Sequence, residues 1–184
     1  LAFGMGVFFF IAKDLPHPDA IIARQVSEST KIYDRAGQAI LYNIHGEEKR
    51  TIVPWENIPE TIRQATLASE DSSFYTHGGL DYTGIIRAFL KNLTKFRIDQ
   101  GGSTITQQLI KNALLGEQRQ SFFSIISRKI REAVLAIEIE RKFSKDQIFW
   151  MYLNQIPYGS NAYGIEAASQ TFFGKQAKDL TTAQ

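Results

Sequence analysis

The sequence predicts a mainly α-helical protein with a small β-hairpin ahead of the helices. From Asn57 onward apolar residues recur at helical spacing, most clearly over 121–141. Between Thr30 and Ile44 they alternate with polar residues, which is typical of a hairpin. The chain has 184 residues, 43% of them hydrophobic, which is enough for one ordinary domain with a sizeable core.

The first twelve residues are apolar and contain four phenylalanines without a charged residue. A helix needs roughly 20 apolar residues to cross a bilayer, so we interpret 1–12 as the outer part of a truncated transmembrane anchor. A secretory signal peptide would begin with basic residues, and none is present. Pro16 and Pro18 then open a connector, predicted over 13–56, which carries the hairpin and a short strand at 51–55.

The helical part is predicted over 57–184. Asn57 and Glu60 have capping-box spacing, and Ile58, Ile62 and Ala65 form an apolar stripe behind them. Further helices are predicted at 82–94, 104–115, 121–141, 145–154 and 162–172. The expected buried face of the long helix consists of Phe122, Ile126, Ile130, Ala133 and Ile137. The last residues, 180–184, read as a helix start cut short, so this domain is expected to be truncated at its C-terminal end.

Composition excludes several classes of function. The net charge is only +2 and no long basic run occurs, so nucleic acid is not an expected partner. There are no cysteines, which excludes disulfides, thiolate metal sites and thiol nucleophiles. His17, His45 and His77 do not have the spacing of zinc ligands.

Glu70 is the first candidate for chemistry. It ends the predicted helix that begins at Asn57, at the edge of its apolar stripe, and a loop rich in glycine and aromatic residues follows. A carboxylate on such a boundary is partly desolvated, as a general base requires. An ordinary solvated helix end is the alternative.

A second candidate segment begins at Gly101-Gly102-Ser103 and leads into a helix. Thr104 and Gln107 have capping-box spacing there. Free N–H groups at a glycine-led helix start favour anions such as phosphate. Gln108 and Lys111 lie within about one turn and add donors for the same ligand. A well-capped helix without a ligand explains the segment equally well.

Glu132 is a second acid, with Arg128 at i−4 and Lys129 at i−3. A surface ion pair is the simpler explanation of this spacing. The functional interpretation is a carboxylate held ionised by two cations near a phosphate or a metal ion.

Taken together, these segments resemble glycosyltransferase family 51, the peptidoglycan glycosyltransferase domain of class A penicillin-binding proteins and of monofunctional transglycosylases. The resemblance rests on five strings in the family's order, which are EDSSFYTHGG, GGSTITQQLIKN, RKIREAVLAIEIE, KDQIFWMYLNQIPYG and AYGIEAASQTFFGK. They run from about Glu70 to Lys175.

The resemblance implies a lysozyme-like helical lobe on the periplasmic, outer face of the bacterial inner membrane, held by a single-pass anchor. The implied activity is polymerisation of lipid II into β-1,4 glycan strands, with release of undecaprenyl pyrophosphate and inversion at the anomeric carbon. The implied partners are lipid II, the growing glycan strand and membrane lipid. A C-terminal transpeptidase domain in the parent chain is a further expectation.

The resemblance also assigns roles to residues. Glu70 corresponds to the base for the acceptor 4-hydroxyl, and Glu132 to a second catalytic glutamate beside a divalent cation, Mg or Mn. The candidates for binding substrate are Asp71, Phe74, His77, Ser103, Thr104, Gln107, Gln108, Lys111, Arg119, Arg128 and Lys129. The stretch around Arg119 is longer than the family's usual spacing, so its alignment stays open.

Two alternatives to a lipid II polymerase remain at this level. A lysozyme-like peptidoglycan hydrolase or lytic enzyme would share the fold and the single dominant glutamate. It would have no use for a phosphate-binding segment, so Lys111, Arg128 and Lys129 favour transfer. The second alternative is a membrane-tethered scaffold without catalysis.

Overall fold

The computed structural model describes residues 15–17, 20–23, 30–36, 38, 40–44, 49–87, 102–115 and 122–184. Helices dominate these ranges, which confirms the predicted mainly helical class. The predicted anchor at 1–12 lies outside the described residues. Within them, no helix combines the length and apolar character that crossing a bilayer would demand.

The N-terminal part contains the predicted hairpin. Strand β1 (Thr30–Tyr33) pairs antiparallel with β2 (Ile40–Ile44). Ahead of it, α1 (Ala20–Ala23) is a single helical turn that the sequence patterns did not predict. Its Ile21 is 1% exposed and belongs to the main hydrophobic core. Part of the predicted connector therefore packs on the helical lobe.

A two-residue strand stands near the position where a strand was expected at 51–55. β3 (Lys49–Arg50) pairs parallel with β4 (Ala162–Tyr163). The prediction at 51–55 is wrong because a side chain, and not a second strand, satisfies this backbone. Val53 donates its N–H to Asn154 Oδ1 at 2.8 Å.

Helix α2 (Glu60–Glu70) begins later than the capping-box spacing predicted. Pro59 is its N-cap residue, and no side chain caps it. Asn57 instead ends a 3₁₀ turn, and Ile58 is extended with φ −93° and ψ 111°. A residue before proline is disfavoured in the helical region, so the helix starts only after Ile58. The predicted capping box at Asn57 is wrong for this reason.

The remaining helices lie close to their predicted positions. They are α3 (82–87), α4 (Ile105–Ile110), α5 (Phe122–Lys142), α6 (Lys145–Gln155) and α7 (Ile165–Phe173). A π-helical turn, Lys111–Leu115, continues α4. The helix predicted at 82–94 is described only as far as residue 87.

The start of α7 differs from the helix predicted at 162–172. Gly164 is its N-cap residue, with φ +83°. A Cβ at this position would lie 2.6 Å from the carbonyl oxygen of Asn154. Glycine is therefore required where the chain turns from β4 into the helix, and this delays the helix to Ile165.

The buried face of α5 is not the one predicted. Ile126 is 42% exposed, and full burial falls instead on Glu132, Leu135, Ala136 and Ile139. These positions follow the i, i+3, i+4, i+7 spacing of one helix face. The prediction failed because it counted only apolar residues, whereas the true face includes a charged one.

The main core brings α4 between α5 and α6, against which it packs on both sides. Its largest buried side chains include Phe74, Leu109, Leu135, Phe149 and Leu153. Helix α4 is short, and five of its six residues are buried. Helix α4 therefore fixes the position of the two candidate segments next to it, which are the loop after Glu70 and the glycine-led residues 102–104.

Candidate active site

Glu70 is the last residue of α2, and its side chain is exposed. The partial desolvation expected from the apolar stripe is therefore not observed, because Ala65 on that stripe is exposed as well. The carboxylate does have a fixed partner, since Gln108 donates from Nε2 to Glu70 Oε2 at 2.9 Å. Glu70 and the segment that starts at Gly102 thus meet at one place on the surface.

Asp71 follows Glu70 and joins this loop to the beginning of α4. It is buried, and its Oδ2 accepts a hydrogen bond from the backbone N–H of Ile105 at 3.1 Å. The same oxygen lies 3.0 Å from Nε2 of His77. The Gly79 N–H donates to Nδ1 of His77 at 3.2 Å, which assigns the ring proton to Nε2. Asp71 and His77 therefore position the loop from inside.

Phe74, another predicted substrate-binding residue, lies in the core. Its side chain is fully buried, and its ring centroid lies 5.6 Å from that of Phe149. Lys145 Nζ lies 4.2 Å from the centre of the Phe74 ring, a cation–π contact. These contacts anchor the loop after Glu70 to α6.

Gly79 ends this loop at a close approach to α5. Its φ is +89°, and a Cβ there would lie 2.9 Å from the carbonyl oxygen of Ala136. Thr104 Oγ1 donates to the Gly79 carbonyl at 2.7 Å. The glycine therefore allows the loop, α4 and α5 to approach one another closely.

The predicted capping box at the start of α4 is confirmed. The Gln107 N–H donates to Thr104 Oγ1, and the Thr104 N–H donates to Gln107 Oε1 at 3.0 Å. Both side chains are buried. Of the predicted substrate-binding residues, Thr104 and Gln107 thus shape the segment, whereas Ser103 and Gln108 remain partly exposed beside it.

Lys129 connects the two groups that were expected to surround a phosphate. Its Nζ donates to Ser103 Oγ at 2.8 Å and to Glu132 Oε2 at 2.6 Å. The lysine side chain is 44% exposed. A cation is therefore held at the glycine-led end of α4 with part of its surface open to an anion.

Glu132 is buried, so the surface ion pair that was its simpler explanation does not describe it. The whole residue has 0% exposure. Arg128 Nε lies 3.3 Å from Glu132 Oε1 as an ion contact without hydrogen-bond alignment. A buried carboxylate needs paired charges, and Lys129 and Arg128 supply them.

The residues around Glu132 do not fit a directly held divalent cation. Magnesium and calcium take several oxygen ligands, yet the charged groups that contact this carboxylate within the described residues are two cations. In the described parts of the chain, no cluster of three or more acidic or histidine side chains could hold a metal ion.

The other predicted residues are distributed as follows. Lys111 is exposed at the start of the π-helical turn, one turn after Gln108. Gly101 and Arg119 lie outside the described residues. All other predicted site residues are brought together by α2, α4 and α5 and by the loop between Asp71 and Gly79.

Sequence reasoning missed two buried groups that support this site. Glu140 Oε1 accepts hydrogen bonds from Thr106 Oγ1 at 2.6 Å and from Lys145 Nζ at 2.8 Å, which joins α4, α5 and α6. Tyr152 donates to Gln108 Oε1 at 3.2 Å. In the sequence, the only sign of either residue was its place in one of the five strings that resemble the family.

Comparison with known proteins identifies the family of this chain. The family model described as transglycosylase matches residues 37–184. Penicillin-binding protein 1A of Aquifex aeolicus is 45% identical over 179 residues, which are 97% of this chain and 24% of that protein.

Two further relatives show the same pattern. Penicillin-binding protein 1A of Pseudomonas aeruginosa is 38% identical over 97% of this chain and 21% of its own length. Penicillin-binding protein 4 of Bacillus subtilis is 38% identical over 85% of the chain and 24% of its own length. The chain thus spans about a quarter of the length of these relatives. The family match confirms the resemblance seen in the five motifs, and this chain belongs to the transglycosylase family.

Proposed function

We propose that this chain is a peptidoglycan glycosyltransferase domain that polymerises lipid II and releases undecaprenyl pyrophosphate. One observation carries the proposal. Helix α4 and the residues just before it contact Glu70 through Gln108 at one point and Lys129 through Ser103 at another. A proton acceptor and a cationic anion-binding group therefore flank the same short segment, as transfer from a glycosyl pyrophosphate requires.

Glu70 acts as the general base in this proposal. Its exposed carboxylate takes the proton from the acceptor sugar's 4-hydroxyl as that oxygen attacks the anomeric carbon. Gln108 donates to Oε2, and the proposal assigns Oε1 to the incoming hydroxyl. Attack opposite the leaving group inverts the anomeric carbon, as in inverting glycosidases with one base.

The cationic side of the site stabilises the departing pyrophosphate. Lys129 and Arg128 lie beside Glu132, which fixes both of them without being exposed itself. Lys111 is exposed on the π-helical turn that continues α4. Positive groups that are already positioned lower the energy of a developing anion, so this leaving group departs without a strong general acid.

The predicted Mg or Mn ion is not part of these steps. The carboxylate of Glu132 has lysine and arginine as its neighbours, and these supply the positive charge near the leaving group. Polymerisation of lipid II measured with and without a chelator tests the contribution of a divalent cation.

The relatives support a wider setting. They are penicillin-binding proteins, and the chain covers about a quarter of each. We therefore propose a parent protein with a transpeptidase domain, a single-pass anchor that includes 1–12, and a catalytic lobe on the periplasmic face of the inner membrane. The proposed fold of this lobe is lysozyme-like.

The decisive experiment incubates the protein with lipid II and, separately, with finished glycan. Polymer formed from lipid II, and intact glycan, support transfer. Fragmentation of glycan without polymer would establish the lytic alternative instead. Glu70→Gln should lower turnover by roughly two to four orders of magnitude.

A matched control separates this effect from a general loss of charge. Glu138 is exposed on α5 and lies outside the proposed site, so Glu138→Gln should retain wild-type turnover. Equal activity of wild type and Glu70→Gln would remove Glu70 as the base and favour a scaffold or a different catalytic residue.

A further inference from the structure

Tyr152 lies on α6, away from the surface, and yet its hydroxyl reaches the amide that contacts Glu70. The residue is 1% exposed, and its hydroxyl donates to Gln108 Oε1 at 3.2 Å. Gln108 Nε2 in turn donates to Glu70 Oε2 at 2.9 Å. We propose that Tyr152 is a positioning residue for Glu70 that acts by orienting the Gln108 amide. This inference rests on the proposed role of Glu70 as the base.

The chemistry of the three groups determines the orientation of the amide. A glutamine side chain has one accepting oxygen and one donating NH₂ group, and a carboxylate only accepts. With Oε1 held by the tyrosine, the NH₂ group faces Glu70. The reversed amide would place its oxygen against the carboxylate, where two acceptors repel each other.

The tyrosine is suited to be the donor in this chain. Burial, and then the negative charge of Glu70, raise the pKa of the Tyr152 phenol above its ordinary value of 10.0. The hydroxyl therefore keeps its proton wherever the enzyme works. The two hydrogen bonds therefore run in one direction. The Tyr152 hydroxyl donates to the Gln108 amide, and that amide donates to the Glu70 carboxylate.

The backbone that carries Gln108 is equally well fixed. Its N–H donates to the Thr104 carbonyl at 3.0 Å, directly behind the capping box. Glu70, in contrast, is an exposed side chain at a helix end. A free glutamate samples several rotamers, which costs entropy on ordering, so a rigid donor is the means by which the core restricts it.

The test compares Tyr152→Phe with Tyr75→Phe. Each variant removes one hydroxyl and keeps the ring. Tyr75 donates to Asp146 at 2.8 Å and does not contact Gln108, so it serves as the matched control. We expect Tyr152→Phe to lower kcat for lipid II polymerisation by about three- to thirty-fold. KM and the melting temperature should change little, and Tyr75→Phe should keep the wild-type kcat.

A double-mutant cycle then separates positioning from packing. In a Gln108→Ala background the tyrosine hydroxyl has no amide to orient, so adding Tyr152→Phe should cause no further loss of kcat. A full additional loss in that background would overturn the inference, because Tyr152 would then act independently of Gln108.

A readout without catalysis completes the test. The side-chain amide signals of Gln108 in a ¹H–¹⁵N spectrum are assigned by their loss in Gln108→Ala. They should shift in Tyr152→Phe and stay in place in Tyr75→Phe. Unshifted signals in Tyr152→Phe would overturn the positioning role even if lipid II is polymerised. Shifted signals in a protein that polymerises no lipid II would support the orientation of the amide and reject the proposed function.

Discussion

His77 Nε2 lies 3.0 Å from Asp71 Oδ2, and both side chains are almost fully shielded from solvent. The same aspartate oxygen accepts the N–H of Ile105, the first residue of α4. A carboxylate adjacent to Glu70 in the chain is thus tied to the helix that carries Gln108. The Asp71–His77 pair therefore determines the position of Glu70 relative to Gln108.

Asp71→Ala should destabilise the protein. The change leaves the buried Ile105 N–H and the His77 Nε2–H without their acceptor, which costs about 1–3 kcal/mol in the free energy of unfolding. Denaturant unfolding measures this loss. Asp179 is exposed, so Asp179→Ala should stay within about 0.5 kcal/mol of wild type. Equal stabilities of the two variants would contradict the proposed support.

Gly79→Ala should also destabilise, for a steric reason. The residue has φ +89°, and the added Cβ would lie 2.9 Å from the Ala136 carbonyl oxygen. Strain of this kind costs about 1–3 kcal/mol, which thermal unfolding detects as a lower Tm. Gly78 provides the control, because a Cβ there meets nothing within 4 Å. A Gly78→Ala variant that loses as much stability would show that the backbone approach is not the cause.

These contacts show which parts of the structure local sequence patterns can predict. The capping box of Thr104 and Gln107 involves residues three positions apart, and it was found from spacing alone. The burial of Glu132 was not found, because it depends on Ser103 and α4, far away in the sequence, as well as on its own neighbours. Spacing rules predict contacts within one helix or strand, whereas the buried face of a helix is determined by the other elements that pack against it.

The exposure of Glu70 illustrates the same limit. Its place at a helix end was predicted, whereas its solvent exposure and its contact with Gln108 were not. The apolar stripe behind it includes Ala65, which is exposed, whereas Ile62 and Leu67 pack against the core. The side of a helix that faces the core depends on the elements that pack against it, and the apolar periodicity of the sequence does not identify those elements.

Asp81 should make stability depend on pH in the acid range. Its Oδ1 accepts hydrogen bonds from the Gly84 N–H at 2.8 Å and the Thr83 hydroxyl at 2.7 Å. The Gly84 hydrogen bond, followed by that of Thr83, lowers the pKa of Asp81 from 3.8 to about 2. Because folding lowers this pKa, the ionised Asp81 side chain stabilises the folded state at pH values above the pKa of the unfolded chain. This stabilisation is lost as the pH falls through about 2.

Asp81→Asn is the variant that tests this dependence. Wild type should exceed it in unfolding free energy near neutral pH, and the difference should shrink as the pH falls from about 4 toward about 2. Urea unfolding of both proteins over this range gives the curve. A difference that is constant with pH would show that the Asp81 charge does not contribute.

Lys129→Met should weaken binding of the anionic donor. Its ammonium bridges Ser103 and the buried Glu132, and its side chain is partly exposed at the start of α4. Loss of one charged hydrogen bond to a phosphate corresponds to roughly a 10- to 100-fold loss of affinity. Binding of a phosphoglycolipid inhibitor, measured by calorimetry, reports the change.

The control for this variant is Lys178→Met, which removes an exposed charge in the 3₁₀ turn at Ala177–Asp179. It should bind the inhibitor as wild type does. Ser103→Ala leaves Lys129 paired with Glu132, so it should lose less affinity than Lys129→Met. If Lys129→Met binds as tightly as the control, the leaving group is not held at this end of α4, and the cationic half of the proposed site must lie elsewhere.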